Sequence, residues 1–343
     1  MRLSDIIAQE IAVRTLRSSI RKSSVAHAYL FAGPSSTGKT TAALAFAAAL
    51  NCAGPTPDGD ACGLCMSCVR IQARTDADVQ VISPDGDQTK MEQMHEMIRS
   101  LSFAPLSGRY RVFIIEQADT LNPSSENCIL KILEEPPPYA VLILLSCNPG
   151  SLLPTIRSRC QIVRFRRASI AEVEDALRKH FDLPEDELCI IAACSRGAVG
   201  RAFRMASEPE FAEERRAVLQ TLNEWAESAP VASIRAAEKL RRLAEPRKDD
   251  PDERTRIRRL TEMLEHVLSW YADLLALKVS GGETPVANAD HADDLNSQLG
   301  RFSVTRIRRA IRSIMDTRRY LEGNITPQLA LENMFFDLRP DSG

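Results

Sequence analysis

The chain is 343 residues long, 44% apolar and 26% charged, which supplies cores for two or three packed units and reads as an ordinary soluble protein. A formal net charge of −2 excludes a surface built to coat nucleic acid, while leaving room for a local basic patch. The opening MRLSDIIAQE lacks an apolar core of signal-peptide length, and no run approaches the ~18 apolar residues of a membrane span, so a cytoplasmic location with no membrane partner is expected.

Up to about residue 166, short β-branched runs alternate with helix-like segments. The candidate strands are 28–32 (AYLFA), 78–82 (DVQVI), 111–115 (RVFII), 140–146 (AVLILLS) and 161–165 (QIVRF). Continuous apolar runs of this length, separated by helical patterns, predict a parallel five-stranded sheet covered on both faces. Segment 169–206 reads as a few short helices, broken near Pro184, with Gly197 and Gly200 at the start of the last one. Beyond 208 the helical period dominates. Leu260, Leu264, Val267, Leu268, Tyr271, Leu274 and Leu275 share one helix face. Val304, Ile307, Ile311 and Ile314 share another, and the arginines between them read as a solvated face. The polar stretches 244–253 and 279–298 read as loops. The resulting division is 1–166, 167–207 and 208–343.

Strand 28–32 runs into Gly33-Pro34-Ser35-Ser36-Thr37-Gly38-Lys39-Thr40, then into an Ala-rich run of high helix propensity. This is the strand–loop–helix setting that a G-x-x-x-x-G-K-[ST] phosphate loop requires. The glycines let successive N–H groups turn toward phosphate, and the helix start adds partial positive charge. Gly33, Thr37, Gly38, Lys39, Thr40 and Thr41 are the candidate contacts to ATP or ADP. Lys39 would reach the β/γ-phosphates and the Thr40 hydroxyl would ligate magnesium. The plain alternative is a loop of this shape that binds no nucleotide.

A phosphate-loop ATPase also needs a carboxylate at the end of a neighbouring strand for its magnesium shell. Here the strand reads Arg111-Val-Phe-Ile-Ile-Glu116-Gln117-Ala-Asp119. Glu116 takes the magnesium position, and Gln117 stands where a water-activating Glu belongs. Glutamine accepts no proton, and losing a general base costs about 10²–10⁴-fold in rate. It still orients water in small GTPases, so slow turnover remains compatible. Asp119 is the other candidate for the missing base, but at the fourth position after the strand it reads rather as a helix N-cap.

Nine cysteines in a chain without export signals are not a disulfide framework. Cys52, Cys62, Cys65 and Cys68 crowd together with C-x₂-C-x₂-C spacing, and Gly59 and Gly63 permit the tight turns between them. Four thiolates suit a closed, structural zinc site. An iron–sulfur cluster is the chemical competitor, and four free thiols the plain alternative. The remaining five cysteines read as small buried hydrophobes.

Together these segments resemble the γ/τ and δ′ subunits of the bacterial clamp loader, a family akin to eukaryotic replication factor C. The resemblance is carried by Gln9-Glu10, His27-Ala-Tyr-Leu-Phe31, the four-cysteine insertion, Asn127 to Pro137 with its LEEPP run, and Leu153 to Cys160. It is dense over 5–166 and thins into a helical pattern toward Glu332. It implies a RecA-like AAA+ domain with a zinc module, then a small helical lid, then an all-helical collar. It further implies partnership with γ/τ and δ in a hetero-oligomer, with the sliding clamp, and with primed DNA through the assembled complex. In such proteins the Ser-Arg-Cys segment offers an arginine finger to a neighbour's nucleotide, a role that falls on Arg159. The sensor-1 role falls on Asn148. The sensor-2 arginine belongs in a Gly-Ser-x-Arg register, where Gly200 stands here with Arg201 one place later. Glu-Gln at the strand end, the displaced Arg201 and an intact Arg159 imply a δ′-type subunit. A γ-type motor and a nucleotide-free scaffold are the alternatives.

Overall fold

Five runs of branched apolar residues form one parallel sheet, ordered β2-β3-β4-β1-β5. The strands are β1 (Ala28–Ala32), β2 (Val79–Ile82), β3 (Arg111–Ile115), β4 (Ala140–Ser146) and β5 (Gln161–Arg164). The computed structural model describes the whole chain except 85–90, 227, 230, 246–252, 283, 285, 322–325 and 341–343, and except the side chains of 209, 253 and 254. The strands match the expected segments to within one residue at either end. Every residue of β1, β3 and β4 is buried, which is why their sequences lack alternation.

The register aligns the strand ends. Ala32 of β1 lies beside Ser146 of β4 and Arg164 of β5, and Ile115 of β3 beside Leu144 of β4. The loops that leave those ends are thereby gathered along one edge, where ligands of open parallel sheets bind. Helices α1 (Glu10–Arg21), α2 (Lys39–Leu50) and α3 (Met66–Gln72) belong to one apolar layer with Tyr29, Phe31, Val112 and Ile143. The other layer joins Leu30, Phe113 and Leu144 to α4 (Met91–Leu101), α5 (Pro123–Glu134) and α6 (Pro154–Arg159).

Two compact units divide the chain: Met1–Val173 with Gly197–Gly200, and Glu174–Arg196 with Arg201–Gly343. Among its described residues, every regular element of the second is a helix. Its core joins Trp225, Leu264, Trp270, Tyr271, Ile307, Ile314 and Phe335. The two predicted helix faces hold for most of their members: Leu260, Leu264, Val267, Tyr271, Leu274, Ile307 and Ile314 are buried and Leu268, Leu275, Val304 and Ile311 half-buried, while Arg308, Arg309 and Arg312 are exposed and Arg306 is half-buried. Helix Ile170–His180 is followed by Glu185–Ser195, capped by Pro184, and by Val199–Ser207.

The loop expected over 279–298 is only partly observed. The stretch 279–298 is not all loop, because residues Ala292–Leu299 form a helix preceded by the 3₁₀ turn Ala289–His291. Asp293 and Asp294 complement the helix N-terminus, and Leu295 is wholly buried, so burial overrode a polar composition. Most of 244–253 lies outside the described residues.

Candidate nucleotide site and metal centre

The candidate phosphate loop is bolted to the sheet at its first residue, where the Gly33 N–H donates to Ser146 O at 3.1 Å. A Cβ on Gly33 would lie 2.3 Å from the Phe165 carbonyl oxygen, so no larger residue fits. Ser36 (φ 58°) and Gly38 (φ 88°) both take left-handed backbone, the curl that turns consecutive N–H groups inward as an anion nest. Thr37 Oγ1 braces the loop on Pro34 O at 2.8 Å. Helix α2 starts at once, leaving its first N–H groups without intrahelical acceptors at the positive end of the dipole. Thr41, in that first turn, is exposed.

Lys39 is almost entirely buried, and its ammonium donates to Gly33 O (2.6 Å), Pro34 O (2.7 Å) and Cys147 Sγ (3.5 Å). Thr40 Oγ1 donates to Glu116 Oε1 at 3.2 Å, and Ser83 Oγ to Glu116 Oε2 at 2.7 Å, so both carboxylate oxygens are oriented. An octahedral magnesium with ~2.1 Å bonds sets adjacent oxygens about 3.0 Å apart, so the Thr40–Glu116 pair fits one edge. Bound there, the cation would offset phosphate charge; Thr40 and Glu116 supply the oxygens.

Gln117 is exposed with φ 48° and ψ 48°, an uncommon conformation for a residue with a Cβ. Its carbonyl accepts from Thr120 N–H (2.8 Å) and Thr120 Oγ1 (2.9 Å), closing the 3₁₀ turn Ala118–Thr120. Asp119 is not a helix N-cap. It lies within that turn, and Oδ1 accepts from Cys147 N–H at 3.0 Å, tying the end of β3 to the end of β4. Asn148 is exposed, and its carbonyl accepts from Ser151 N–H at 3.1 Å.

Ser83 and Cys147, which bond to Glu116 and Lys39, join the candidate site without having been expected there from the sequence. Their one signal is position, just beyond the carboxyl ends of β2 and β4. Cys147 also corrects the view of the five scattered cysteines. It is exposed, as is Cys189, and Cys128 is half-buried; only Cys160 and Cys194 are buried.

Arg159 ends α6. Its guanidinium donates to Glu134 Oε1 (3.0 Å) and Thr155 O (3.2 Å), and its side chain is 37% exposed against 55% for Glu134. An ion pair this exposed contributes only about 0–1 kcal/mol, so little holds the guanidinium back from a stronger anion. Arg201 belongs to the second unit and is engaged there. It is buried against Glu265 (3.4 Å), His266 Nδ1 (3.5 Å) and the Phe211 ring (5.9 Å to its centre).

Cys52 follows α2, Cys65 caps α3, and Cys68 lies in its first turn. Gly59 (φ 79°) and Gly63 (φ 78°) make the turns expected of them. Sulfur–sulfur distances are 3.9 Å (Cys52–Cys65), 4.0 Å (Cys62–Cys68) and 3.7 Å (Cys52–Cys68), with all four sulfurs within 4.8 Å of one another. A tetrahedral ion with ~2.3 Å metal–sulfur bonds has edges of about 3.8 Å, so the four sulfurs fit one ion. That spacing leaves no room for the inorganic core of a multi-iron cluster. N–H groups of Leu64 (3.4 Å) and Cys65 (3.3 Å) point at Cys62 Sγ and pull its thiol down to about 6, which favours the ligating thiolate. Burial pushes Cys52 and Cys68 the other way.

A family model described as DNA polymerase III, delta subunit, matches residues 8–169, and one for the C-terminal part of that subunit matches 252–339. DNA polymerase III subunit tau of Bacillus subtilis is 32% identical over 209 residues, covering 60% of this chain and 37% of the relative. Subunit gamma/tau of Mycobacterium tuberculosis H37Rv is 36% identical over 165 residues, covering 48% and 28%. Subunit delta′ of Bacillus subtilis is 32% identical over 214 residues, covering 62% and 63%. The chain thus spans about a third of the tau-type relatives and less than two thirds of delta′. A gamma subunit-related protein of Thermotoga maritima superposes with a TM-score of 0.46 at 16% identity, over 95% of this chain and 97% of the other. With both family models on it and relatives of both kinds, the chain belongs to the family of DNA polymerase III subunits that takes in delta′ and gamma/tau.

Proposed function

We propose that the chain is a δ′-type clamp-loader subunit that binds ATP or ADP with magnesium, turns it over weakly, and lends Arg159 to the nucleotide of a neighbouring subunit. The observation that carries this reading is a complete cradle, with Lys39, Thr40 and Glu116 in place, followed at once by Gln117 where a proton acceptor belongs. Binding needs the cradle; rapid hydrolysis also needs a base. Gly33, Thr37, Gly38 and Thr41 complete the phosphate contacts, Cys52, Cys62, Cys65 and Cys68 hold structural zinc, and Asn148 and Arg201 are assigned to the two sensor positions.

Its partners would be γ/τ and δ subunits in a cytoplasmic hetero-oligomer that loads the sliding clamp onto primed DNA. Residues 1–166 would form the nucleotide-binding domain, 167–207 the lid, and 208–343 the collar. Among the described residues no helix is long and apolar enough to cross a membrane. A guanidinium delivered in trans stabilises charge on the transferring phosphoryl and ties hydrolysis to assembly.

The test is Arg159→Ala in a loader reconstituted with its partners. DNA-stimulated hydrolysis at the adjacent subunit is expected to fall about 10³-fold or more. Unchanged hydrolysis would remove the δ′ assignment. The intact phosphate loop and the identity to gamma/tau favour a second reading, a γ-type motor. Brisk turnover by an oligomer of this chain alone, given clamp and DNA, would select it. A scaffold with no nucleotide would show no binding of labelled ATP or ADP, and Lys39→Ala would be silent.

A further inference from the structure

The loop between Cys52 and Cys62 carries a carboxylate that is almost wholly buried, Asp60. Its oxygens accept from the N–H groups of Leu3 (2.8 Å), Ser4 (2.9 Å) and Ala61 (2.8 Å), and Arg17 pairs with Oδ2. Arg2 Nη2 adds a bond to Cys62 O at 2.8 Å. The first residues of the chain are therefore folded onto the cysteine module. Leu3 is buried in the apolar layer that holds α2, Cys52 and Cys68.

The same segment continues to the phosphate loop. Ile6 Cγ2 lies 3.9 Å from where a Cβ on Gly38 would stand. Three residues later Gln9, buried, donates to Thr37 O (3.4 Å) and Arg166 O (2.7 Å) and accepts from Arg166 N–H (3.0 Å). Residues 2–9 thus form a strap with one end in the cysteine module and the other on the residues that would wrap phosphate. The loop that carries Asp60 is polar and closes between two of the candidate metal ligands, so closing the four thiolates on one ion would fix where Asp60 sits.

We propose that Asp60 is a positioning residue for the nucleotide site: held by the closed cysteine module, it anchors the amino-terminal strap, and the strap keeps the phosphate loop in its binding shape. The proposal rests on the nucleotide reading above. It makes the metal centre, in the same unit, a determinant of nucleotide affinity without contact to nucleotide.

The experiment uses the full chain, a fluorescent ADP analogue with magnesium, a zinc assay and amide hydrogen exchange. Asp60→Ala and Ile6→Ala should each weaken nucleotide binding about tenfold. Both should retain the bound metal of the wild type and speed exchange at residues 36–41 before nucleotide is added. Because they act in series, the double variant should be no weaker than the weaker single variant. A zinc-selective chelator should lower wild-type affinity similarly and leave Ile6→Ala little changed. Wild-type affinity in Ile6→Ala, multiplied losses in the double variant, or chelation without effect on affinity would each overturn the strap. Should Asp60→Ala fail to fold, Ile6→Ala and chelation still decide it. No binding by the wild type would instead overturn the nucleotide reading, and this inference with it.

Discussion

Glu116 and Gln117 are neighbours in sequence that the backbone treats differently. Glu116 N–H donates to Ile82 O at 2.9 Å and keeps to the sheet, with both carboxylate oxygens oriented by hydroxyls. Gln117 turns into left-handed backbone, which costs a residue with a Cβ about 1–2 kcal/mol. A glutamate there would meet the same backbone and add the missing proton acceptor. Gln117→Glu is therefore expected to raise ATP turnover at this chain's own site about 10²-fold in the assembled complex, measured with the other sites disabled.

Also at this scale is His266, wholly buried in the second unit. Burial, helped by Arg201 and Arg215, holds its pKa well below the ordinary 6.5. Arg201 only donates, so His266 Nδ1 accepts from it, the ring is neutral, and Nε2 has no partner among the described residues. The unfolded chain takes up this proton near pH 6.5 and the folded chain does not, so protons favour unfolding below that pH. The urea midpoint of the second unit is expected to fall from pH 7.5 to pH 5.5, and His266→Phe, beside the Phe211 ring, should shrink that fall.

Among elements, the turn that leads into β3 depends on one carboxylate. Asp78 accepts N–H bonds from Leu106 (2.7 Å), Ser107 (2.8 Å) and Gly108 (2.8 Å), pinning the entry to β3 against the start of β2. Burial alone would raise its pKa, but those N–H groups and Arg111 outweigh it and hold the carboxyl below its ordinary 3.8. Its contribution is complete above that value and is lost as pH falls through the lower folded one. Asp78→Ala strands three donors and should destabilise the first unit by about 2–3 kcal/mol in urea titration at pH 7.

For the whole molecule, the two units have separate cores: Phe31, Phe113 and Leu144 around the sheet in one, Trp225, Trp270 and Phe335 among helices in the other. Separate cores need not melt together, so calorimetry should resolve two transitions. Nucleotide at about a hundred times its Kd should stabilise the first by about 2.7 kcal/mol and leave the second in place. Lys39→Ala should abolish that shift.

By itself, the sequence determined the parts of this protein that are written in consecutive residues. Strand runs, the Gly33–Thr40 loop and the cysteine spacing are local, because backbone conformation and side-chain period are set within a few residues. Tertiary structure alone decided what those parts meet. Ser83 reaching Glu116, Asp119 holding Cys147 and Asp60 taking the N–H groups of Leu3 and Ser4 join positions 28 to 57 residues apart. Burial likewise made a helix of 292–299, which a local polar composition disguised as loop. Such pairings depend on which strand ends lie side by side, and in a parallel sheet that is settled by register and crossover rather than by any short segment.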